Sequence, residues 1–369
     1  MGTKPKRGKF RCIGSSVILM VSNFIALAST SGTAFAQSSV QLLGQVDEWV
    51  GLEKMPTAQS AWVNGSGGLS ESYFALHGSD ALATNWKTIF ALEAFFTPQN
   101  GQYGRFSGDA FFARNAYVGI ESPYGTLTAG RITNPLFIST ILFNPFVDSF
   151  TFSPMIFQTY LGQGTFPVYP TDQGVVGDSG WNNSISYATP DFGGLTGTLQ
   201  YAFGNTSGDA GAHKESAQVL YFNGPVGATL VYQYVNFNAQ PLDLNSPATA
   251  STVPGLRSQE VLQAGLSYDF KVVKLYGQYM RTMNAVTPTS FSVNTVQLGA
   301  SAPISVGTLL VSYARSTDSG GMQQERNTWS VGYDYPLSKR TDIYFAFMRD
   351  QFVGESSGET VGGGIRTKF

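Results

Sequence analysis

Apolar and small polar residues alternate with a period of two in many segments of the chain. In the run 195–203, Leu199 and Tyr201 fall on one face, and Thr198 and Gln200 fall on the other. Because side chains of a β-strand point alternately to its two faces, each such run predicts a strand with one apolar and one polar face. The same pattern recurs over about ten residues in the runs 262–270 and 328–335.

The composition suits strands that stand between lipid and water. Charged residues make up only 12% of the chain, against about 25% in a typical soluble domain. Aromatic residues reach 14%, there are 42 glycines, and the mean hydropathy is −0.04. Beyond the N-terminal segment no stretch is apolar for about 18 residues, so the strands are the candidates for crossing a membrane. The sequence therefore predicts an all-β fold, a transmembrane antiparallel β-barrel.

The number of alternating segments indicates the size of this barrel. Several apolar faces end in an aromatic residue, as a girdle at the membrane interface requires. Sixteen segments can be counted, an even number as in single-chain bacterial barrels. Their predicted starts are Val40, Ser72, Trp86, Phe111, Gly125, Trp181, Leu195, Ser216, Val226, Ser258, Val273, Phe291, Gly307, Asn327, Thr341 and Thr360.

The N-terminus has the pattern of an export signal. Five basic residues precede an apolar stretch from Ile13 to Leu27, and Ala34 and Ala36 flank Phe35 as a small-x-small cleavage site. We therefore expect a signal peptide over 1–36 and a barrel domain over 37–369. Removal of the signal leaves 17 basic against 24 acidic residues, a formal charge of about −7, which argues against a nucleic-acid partner. Cys12, the only cysteine, would leave with the signal.

One connection, residues 132–180, is far longer than the others. A loop of this length in a compact domain is normally functional, and in a barrel we expect it to fold into the lumen. Its first part is rich in apolar and aromatic residues, from Pro135 to Phe157. Such rings could form a slide for sugars or aromatic solutes, which would make the protein a substrate-specific channel. They could equally pack the loop onto the barrel wall and narrow the pore without specificity, which is the interpretation we favour.

The chain resembles the general diffusion porins of the beta-proteobacterial type along its whole mature length. The segments that carry this resemblance are the first strand at 38–47, Trp86–Glu93, the hairpin Arg114–Arg131, the turns at 186–195 and 337–344, and the terminal Arg366–Phe369. The resemblance implies a homotrimer of sixteen-stranded barrels in the cell outer membrane. It also implies that the third loop, at 132–180, narrows each pore.

The resemblance further implies the partners of the protein. Small hydrophilic solutes and ions would diffuse passively through the pore. The outer surface would contact outer-membrane lipid and lipopolysaccharide. A terminal phenylalanine, here Phe369, would help the outer-membrane assembly machinery recognise the chain.

Three arginines match the wall arginines of these porins: Arg105, Arg114 and Arg131. Fixed charges of this kind give a pore its ion selectivity, although each could instead be a solvated rim residue. Alternation groups Arg114 with Ala116 and Val118 and predicts that Tyr117 faces lipid. Alternation alone would send Arg131 outward, so its inward position requires a strand end or bulge. Tyr73 and His77 stand where the family often has arginines, so we expect only a weak preference for anions.

Further charges are candidates for the lumen. Lys87 and Glu93 share one strand face, and a base on the lipid face near mid-membrane costs about 2–4 kcal/mol, so both should point inward. In the long connection, Asp148, Asp172 and Asp178 are the available acids. For each of these acids, a solvated loop position is the competing interpretation.

The sequence offers little for catalysis. It has two histidines, His77 and His213, no cysteine after the signal, and no cluster with metal-ligand spacing. The stretch Gly354–Gly358 matches the Gly-x-Ser-x-Gly pattern of hydrolases, but no histidine follows it to complete a triad. We therefore expect neither an enzyme nor a cofactor. A purely structural barrel or an adhesin is a third possibility beside the two kinds of channel.

Overall fold

Antiparallel strands make up most of the computed structural model, which describes residues 38–56, 58–161, 174–205, 211–236, 255–320 and 324–369. The predicted signal peptide, 1–36, lies outside these residues, as does Asp172. The first strands are β1 Ser39–Lys54, β2 Ala61–Ser66, β3 Tyr73–Ala83, β4 Trp86–Thr97, β5 Gln102–Tyr103, β6 Asn115–Ser122, β7 Gly125–Thr133, β8 Gly180–Ala188 and β9 Leu195–Phe203. The later strands are β10 His213–Asn223, β11 Val226–Asn236, β12 Leu256–Asp269, β13 Lys274–Val286, β14 Phe291–Ile304, β15 Gly307–Ser319, β16 Glu325–Pro336, β17 Thr341–Phe352 and β18 Gly358–Lys368.

The strands close into a barrel with sixteen positions in its wall. Strands β2 and β3 both pair with β1, so together they form one wall strand, and β5 and β6 do the same beside β4. Each wall strand pairs antiparallel with the next, and β1 pairs with β18 through contacts such as Val50 with Gly363. The predicted sixteen-stranded barrel is confirmed.

The two faces of the wall are those that the alternation predicts. In β12, Leu262 and Leu266 are exposed on the outer face, Leu266 by 60%, whereas Val261 and Gln263 on the inner face are almost fully buried. Tyrosines near the ends of the apolar faces, such as Tyr201 and Tyr268, also lie on the exposed face. The outer surface is thus apolar and the inner surface largely polar, as a barrel in lipid requires.

Two short helices lie in the long connection, α1 Pro135–Leu142 and α2 Pro154–Tyr160. The side chains of Asn134 and Ser153 cap their N-termini, and a proline opens each helix, where its missing N–H is harmless. Neither helix is long and apolar enough to cross a membrane.

Candidate functional site

Helix α1 is held by amide side chains from the inner face of the barrel. Gln263 of β12 donates to the Thr140 hydroxyl at 2.9 Å, and Gln278 of β13 donates to the Phe143 carbonyl at 2.8 Å. Gln218 of β10 reaches the Pro135 carbonyl at 3.1 Å. These amides satisfy backbone groups of a non-strand segment that is buried from water, which would otherwise be costly.

Glycines on the inner face make room for the residues that follow α1. A Cβ at Gly265 would stand 2.8 Å from the Phe143 ring, and one at Gly299 would stand 2.6 Å from Pro145. A Cβ at Gly332 would meet Phe146 at 3.0 Å. Strands β12, β14 and β16 therefore each contribute one position at which only glycine lets the long connection approach this closely.

Helix α2 lies against β14, β15 and β16. The Gln158 amide donates to the Thr328 hydroxyl at 2.7 Å and accepts from Ser316 at 2.5 Å. Beside it, the fully buried guanidinium of Arg326 pairs with Asp350 at 2.9 Å and lies 5.2 Å from the centre of the Phe157 ring. We call the inner faces of β10–β17 that touch the long connection the anchoring wall.

The aromatic rings of the long connection are packed inside this arrangement. Phe143, Phe146, Phe152 and Phe157 are almost fully buried, and Phe152 meets Trp49 edge-on at 5.5 Å between ring centres. Burial of these rings contributes to holding the segment in place. Among the described residues, they are not presented to a solute, which favours packing over a slide for substrates.

Charged side chains concentrate on the inner faces of β3, β4, β6 and β7 and in the connections beside them, which together we call the charged wall. Arg131 reaches it through an irregularity in β7. The pairing with β8 shifts between Gly130 and Ile132, and Gly130 has a φ of 140°. This bulge turns Arg131 inward although Leu127 and Ala129 of the same strand face outward.

Asp178 joins two of the predicted arginines. One carboxylate oxygen pairs with Arg131 at 2.6 Å, and the other pairs with Arg105 at 2.7 Å. Arg105 also pairs with Asp109 at 2.9 Å. Burial alone would raise the pKa of the Asp178 carboxyl, but the two guanidinium groups outweigh that effect and hold its pKa well below the usual range.

Arg114 belongs to a second group centred on Glu93 of β4. It forms an ion pair with Glu93 and lies 4.1 Å above the Tyr73 ring. Glu93 also accepts from Asn115 at 2.7 Å and contacts His77 Nε2 at 2.6 Å. Glu93 thus faces inward as predicted. Tyr73 and His77, which stand at the positions where the family often has arginines, belong to the same group.

The prediction that Tyr117 faces lipid is wrong. In β6, Val118 is 60% exposed on the outer face, whereas Tyr117 lies opposite the inward Ala91 of β4. Arg114 lies before the first residue of β6, so its orientation carries no information about the alternation within that strand.

Lys87 also faces inward, as predicted. It lies near the start of β4 and pairs with Glu121 of β6 at 3.0 Å. The pair is about one-third exposed, so solvent screens it and it contributes little to stability.

Two acids lie close to the arginines without a basic partner among the described residues. Asp148 accepts a hydrogen bond from the Ser70 hydroxyl at 2.7 Å, and burial raises the pKa of its carboxyl. Glu71 follows Ser70 in the irregular segment between β2 and β3. Loss of hydration raises the pKa of Glu71 to about 8, although the charges of Arg105 and Arg114 act in the opposite direction.

Phe369 closes the barrel at the strand termini. Its backbone exchanges hydrogen bonds with Gly44 of β1 at 3.1 and 3.2 Å, and its ring is 46% exposed. The ring packs over Gly44, where a Cβ would stand 2.7 Å away. The last residue is therefore part of the sheet and still presents its ring on the outer surface.

Several residues that build this interior could not be identified from the sequence. The inward glutamines Gln263 and Gln278 and the buried pair of Arg326 with Asp350 carry no motif of their own. Their signal was an amide or a charge on the polar face of consecutive strands. No group of three His, Cys, Asp or Glu side chains suited to a metal ion occurs in the described ranges.

Comparisons with known proteins agree with this architecture. A profile described as Gram-negative porin matches residues 24–355. Outer membrane porin protein 32 of Delftia acidovorans is 31% identical over 345 residues, which cover 90% of each chain. An outer membrane porin protein of Bordetella pertussis is 28% identical over 93% of this chain and 97% of its own.

Solved structures of outer-membrane barrels superpose on this chain over most of its length. The anion-selective porin from Comamonas acidovorans superposes with a TM-score of 0.73 at 27% identity, covering 90% of this chain and 100% of that one. OmpT of Vibrio cholerae in its trimer form has a TM-score of 0.63 at 13% identity, covering 90% and 99%. The second likeness concerns the fold alone.

The profile match extends over most of the chain, and the closed sixteen-stranded barrel has an apolar outer face. The chain therefore belongs to the Gram-negative porin family, and it is a porin of the outer membrane.

Proposed function

We propose that the long connection forms the constriction of this porin and that small hydrophilic solutes and ions pass between it and the charged wall. The observation that carries the proposal is the seating of residues 143–146 on Gly265, Gly299 and Gly332. Three successive contacts of this kind hold a segment across the inner face. The arginines remain on the other side, where a passing ion meets their field.

The preference for anions should be weak. The Comamonas relative is described as anion-selective. Here Arg114 shares its charge with Glu93, and Arg105 and Arg131 share Asp178. These carboxylates offset much of the positive charge of the arginines, so the net field at the constriction is small.

The porin should assemble as a homotrimer, as the OmpT structure in its trimer form suggests by analogy of fold. We further propose that the exposed Phe369 ring serves as the signal for the outer-membrane assembly machinery. Outer-membrane lipid and lipopolysaccharide would surround the trimer. The expectation that the chain is not an enzyme stays a prediction, in keeping with a family of channel proteins.

A substrate-specific channel is the second candidate. Its support was the aromatic content of the long connection, but the described rings are buried against the wall. A specific channel would have to recognise its solute through other groups, and it would show saturable, solute-dependent block of the ion current.

Single-channel recording of protein purified from outer membranes tests both candidates. In planar bilayers we expect open-channel steps and no saturable block by sugars. In a KCl gradient, the sign of the reversal potential should indicate a weak preference for anions. Channels with strong cation preference would contradict the proposed charged wall. Block at micromolar solute would favour the specific channel.

A further inference from the structure

Three side chains on the outer face of β13 and β14 bring a guanidinium and an amide together, two groups that can donate hydrogen bonds to an anion. Tyr279 and Arg281 both point outward, since Met280 and Thr282 between and beyond them are buried. Asn294 of β14 lies directly opposite Arg281 in the pairing register. The Tyr279 hydroxyl donates to Asn294 Oδ1 at 2.8 Å, so the amide oxygen is engaged and the amide N–H groups are left beside the guanidinium.

The barrel contains a second copy of this arrangement on β15 and β16. Tyr313 donates to Asn327 Oδ1 at 2.5 Å, and Arg315 lies directly opposite Asn327. Here a carboxylate is bound, because Glu325 accepts from Arg315 Nη2 at 2.6 Å and from Asn327 Nδ2 at 2.8 Å. The second copy therefore demonstrates that a guanidinium and an amide in this geometry hold an anionic oxygen pair.

The first copy has no carboxylate of its own. Glu325 lies two residues before Asn327, and the residue two before Asn294 is Ser292, whose hydroxyl contacts Ser319 at 2.7 Å. Glu260 on the neighbouring strand β12 pairs with Met283 in the register, and it makes no ion pair with Arg281. Within the described residues, Arg281 thus keeps an outward charge that has no acidic partner.

The height of Arg281 on the wall indicates which anion can reach it. Arg281 lies nine residues beyond Val272, an exposed residue of the turn that joins β12 to β13. At about 3.4 Å per residue and a tilt of roughly 40°, this places it about 23 Å above that turn. The apolar band of such barrels is about 25 Å tall, so Arg281 stands at its far edge, on the side of the long connections.

We propose that Arg281 and Asn294 bind the phosphate of a lipid head group in the outer leaflet, as lipopolysaccharide carries on its lipid A. A phosphate offers the oxygen pair that Glu325 supplies in the second copy, and it lies at the depth of the guanidinium. Tyr279, just below, stacks its ring against the acyl boundary and keeps the Asn294 amide turned toward the phosphate. This site goes beyond the pore and does not depend on the proposed constriction.

Native mass spectrometry of the detergent-purified porin with added lipid A tests the site. Arg281→Gln removes the guanidinium, and Ser292→Glu supplies the carboxylate that fills the second copy. Both variants should lower the fraction of protein with bound lipid A by about tenfold. The matched control is Arg315→Gln, which removes an outward arginine of the filled copy and should stay within about twofold of the wild type.

Two results would overturn the proposal. One is equal lipid A binding by the wild type and Arg281→Gln, and the other is the same loss in Arg315→Gln, which would indicate a general effect of surface charge. Inorganic phosphate forms a separate arm, because millimolar phosphate that displaced lipid A completely would indicate a site for free phosphate instead. Heat-modifiable mobility on gels verifies folding, and Asn294→Val replaces Ser292→Glu if the latter fails to fold.

Discussion

The anchoring wall and the charged wall use polar side chains in different ways. On the anchoring wall, neutral amides such as Gln263 and Gln278 bond to the backbone and hydroxyl groups of the long connection, and glycines receive its rings. On the charged wall, Arg114 and Arg131 are balanced by Glu93 and Asp178. Neutral groups can hold a buried segment without adding charge, and the buried Arg326–Asp350 pair on the same wall adds no net charge. The charged wall instead concentrates its arginines around Glu93 and Asp178.

Loss of a buried arginine on the anchoring wall should destabilise the barrel far more than loss of an exposed arginine on its outer face. Arg326→Met on the anchoring wall leaves Asp350 buried without its partner, which should cost about 3–5 kcal/mol of unfolding free energy. Arg315→Met removes an equally charged side chain from a solvent-screened pair on the outer face and should cost about 1 kcal/mol or less. Denaturant unfolding of the refolded porin in detergent measures both values. Equal losses of unfolding free energy would show that the buried pair stabilises the barrel no more than the solvent-screened pair does.

A charge should destabilise the barrel on the outer face of a strand but not on its inner face, and both walls depend on this assignment of faces. Leu199→Arg puts a charge on an outer position that is 60% exposed, and it should destabilise the barrel by about 2–4 kcal/mol in lipid. Thr198→Arg, one residue away on the inner face, should be tolerated within about 1 kcal/mol. Folding titrations into lipid vesicles give both energies, and the reverse order would invert the two faces.

A smaller effect should separate the charged wall from the outer surface. Arg114→Ala leaves Glu93 with a negative charge inside the barrel, so the reversal potential in a KCl gradient should move toward cation preference. Arg349→Ala removes the same charge from the outer face, where it pairs with Glu359, and should leave the reversal potential unchanged. If both variants behave alike, local charge at Arg114 does not control selectivity.

The smallest effect concerns pH. Because the pKa of Glu71 is raised to about 8, its carboxyl is mostly neutral at pH 6 and ionised at pH 9. The added negative charge should offset the arginines, so anion preference should decline as pH rises over this range. Reversal potentials recorded at the two values test this, and Glu71→Gln should remove most of the difference. A pH dependence that persists in Glu71→Gln would assign it to another group.

The sequence predicted the wall better than the interior. Most of the predicted strand starts lie within about two residues of those in the structure, because lipid on one side and water on the other impose a strict alternation. Arg131 required a bulge to face inward, and the structure contains one at that position. The interior is less regular. Alternation counted from Arg114, which lies before β6, therefore predicts the wrong face for Tyr117.

The contacts of the anchoring wall could not be predicted for a different reason. Gln278 and Phe143 are 135 residues apart, and nothing local in either segment indicates that one meets the other. Their meeting follows from barrel closure, which brings β13 opposite the long connection. Long-range packing of this kind leaves no periodic signal in the sequence.

The most direct test of the account is the single-channel conductance of a porin whose residues Leu142–Phe157 are replaced by a short Gly/Ser linker. The segment carries the rings seated on Gly265 and Gly332, so its removal should widen the passage. Heat-modifiable gel mobility establishes that the variant barrel is folded. We predict a conductance clearly above that of the wild type, with reduced ion preference. A folded variant with unchanged conductance would contradict the claim that this segment forms the constriction.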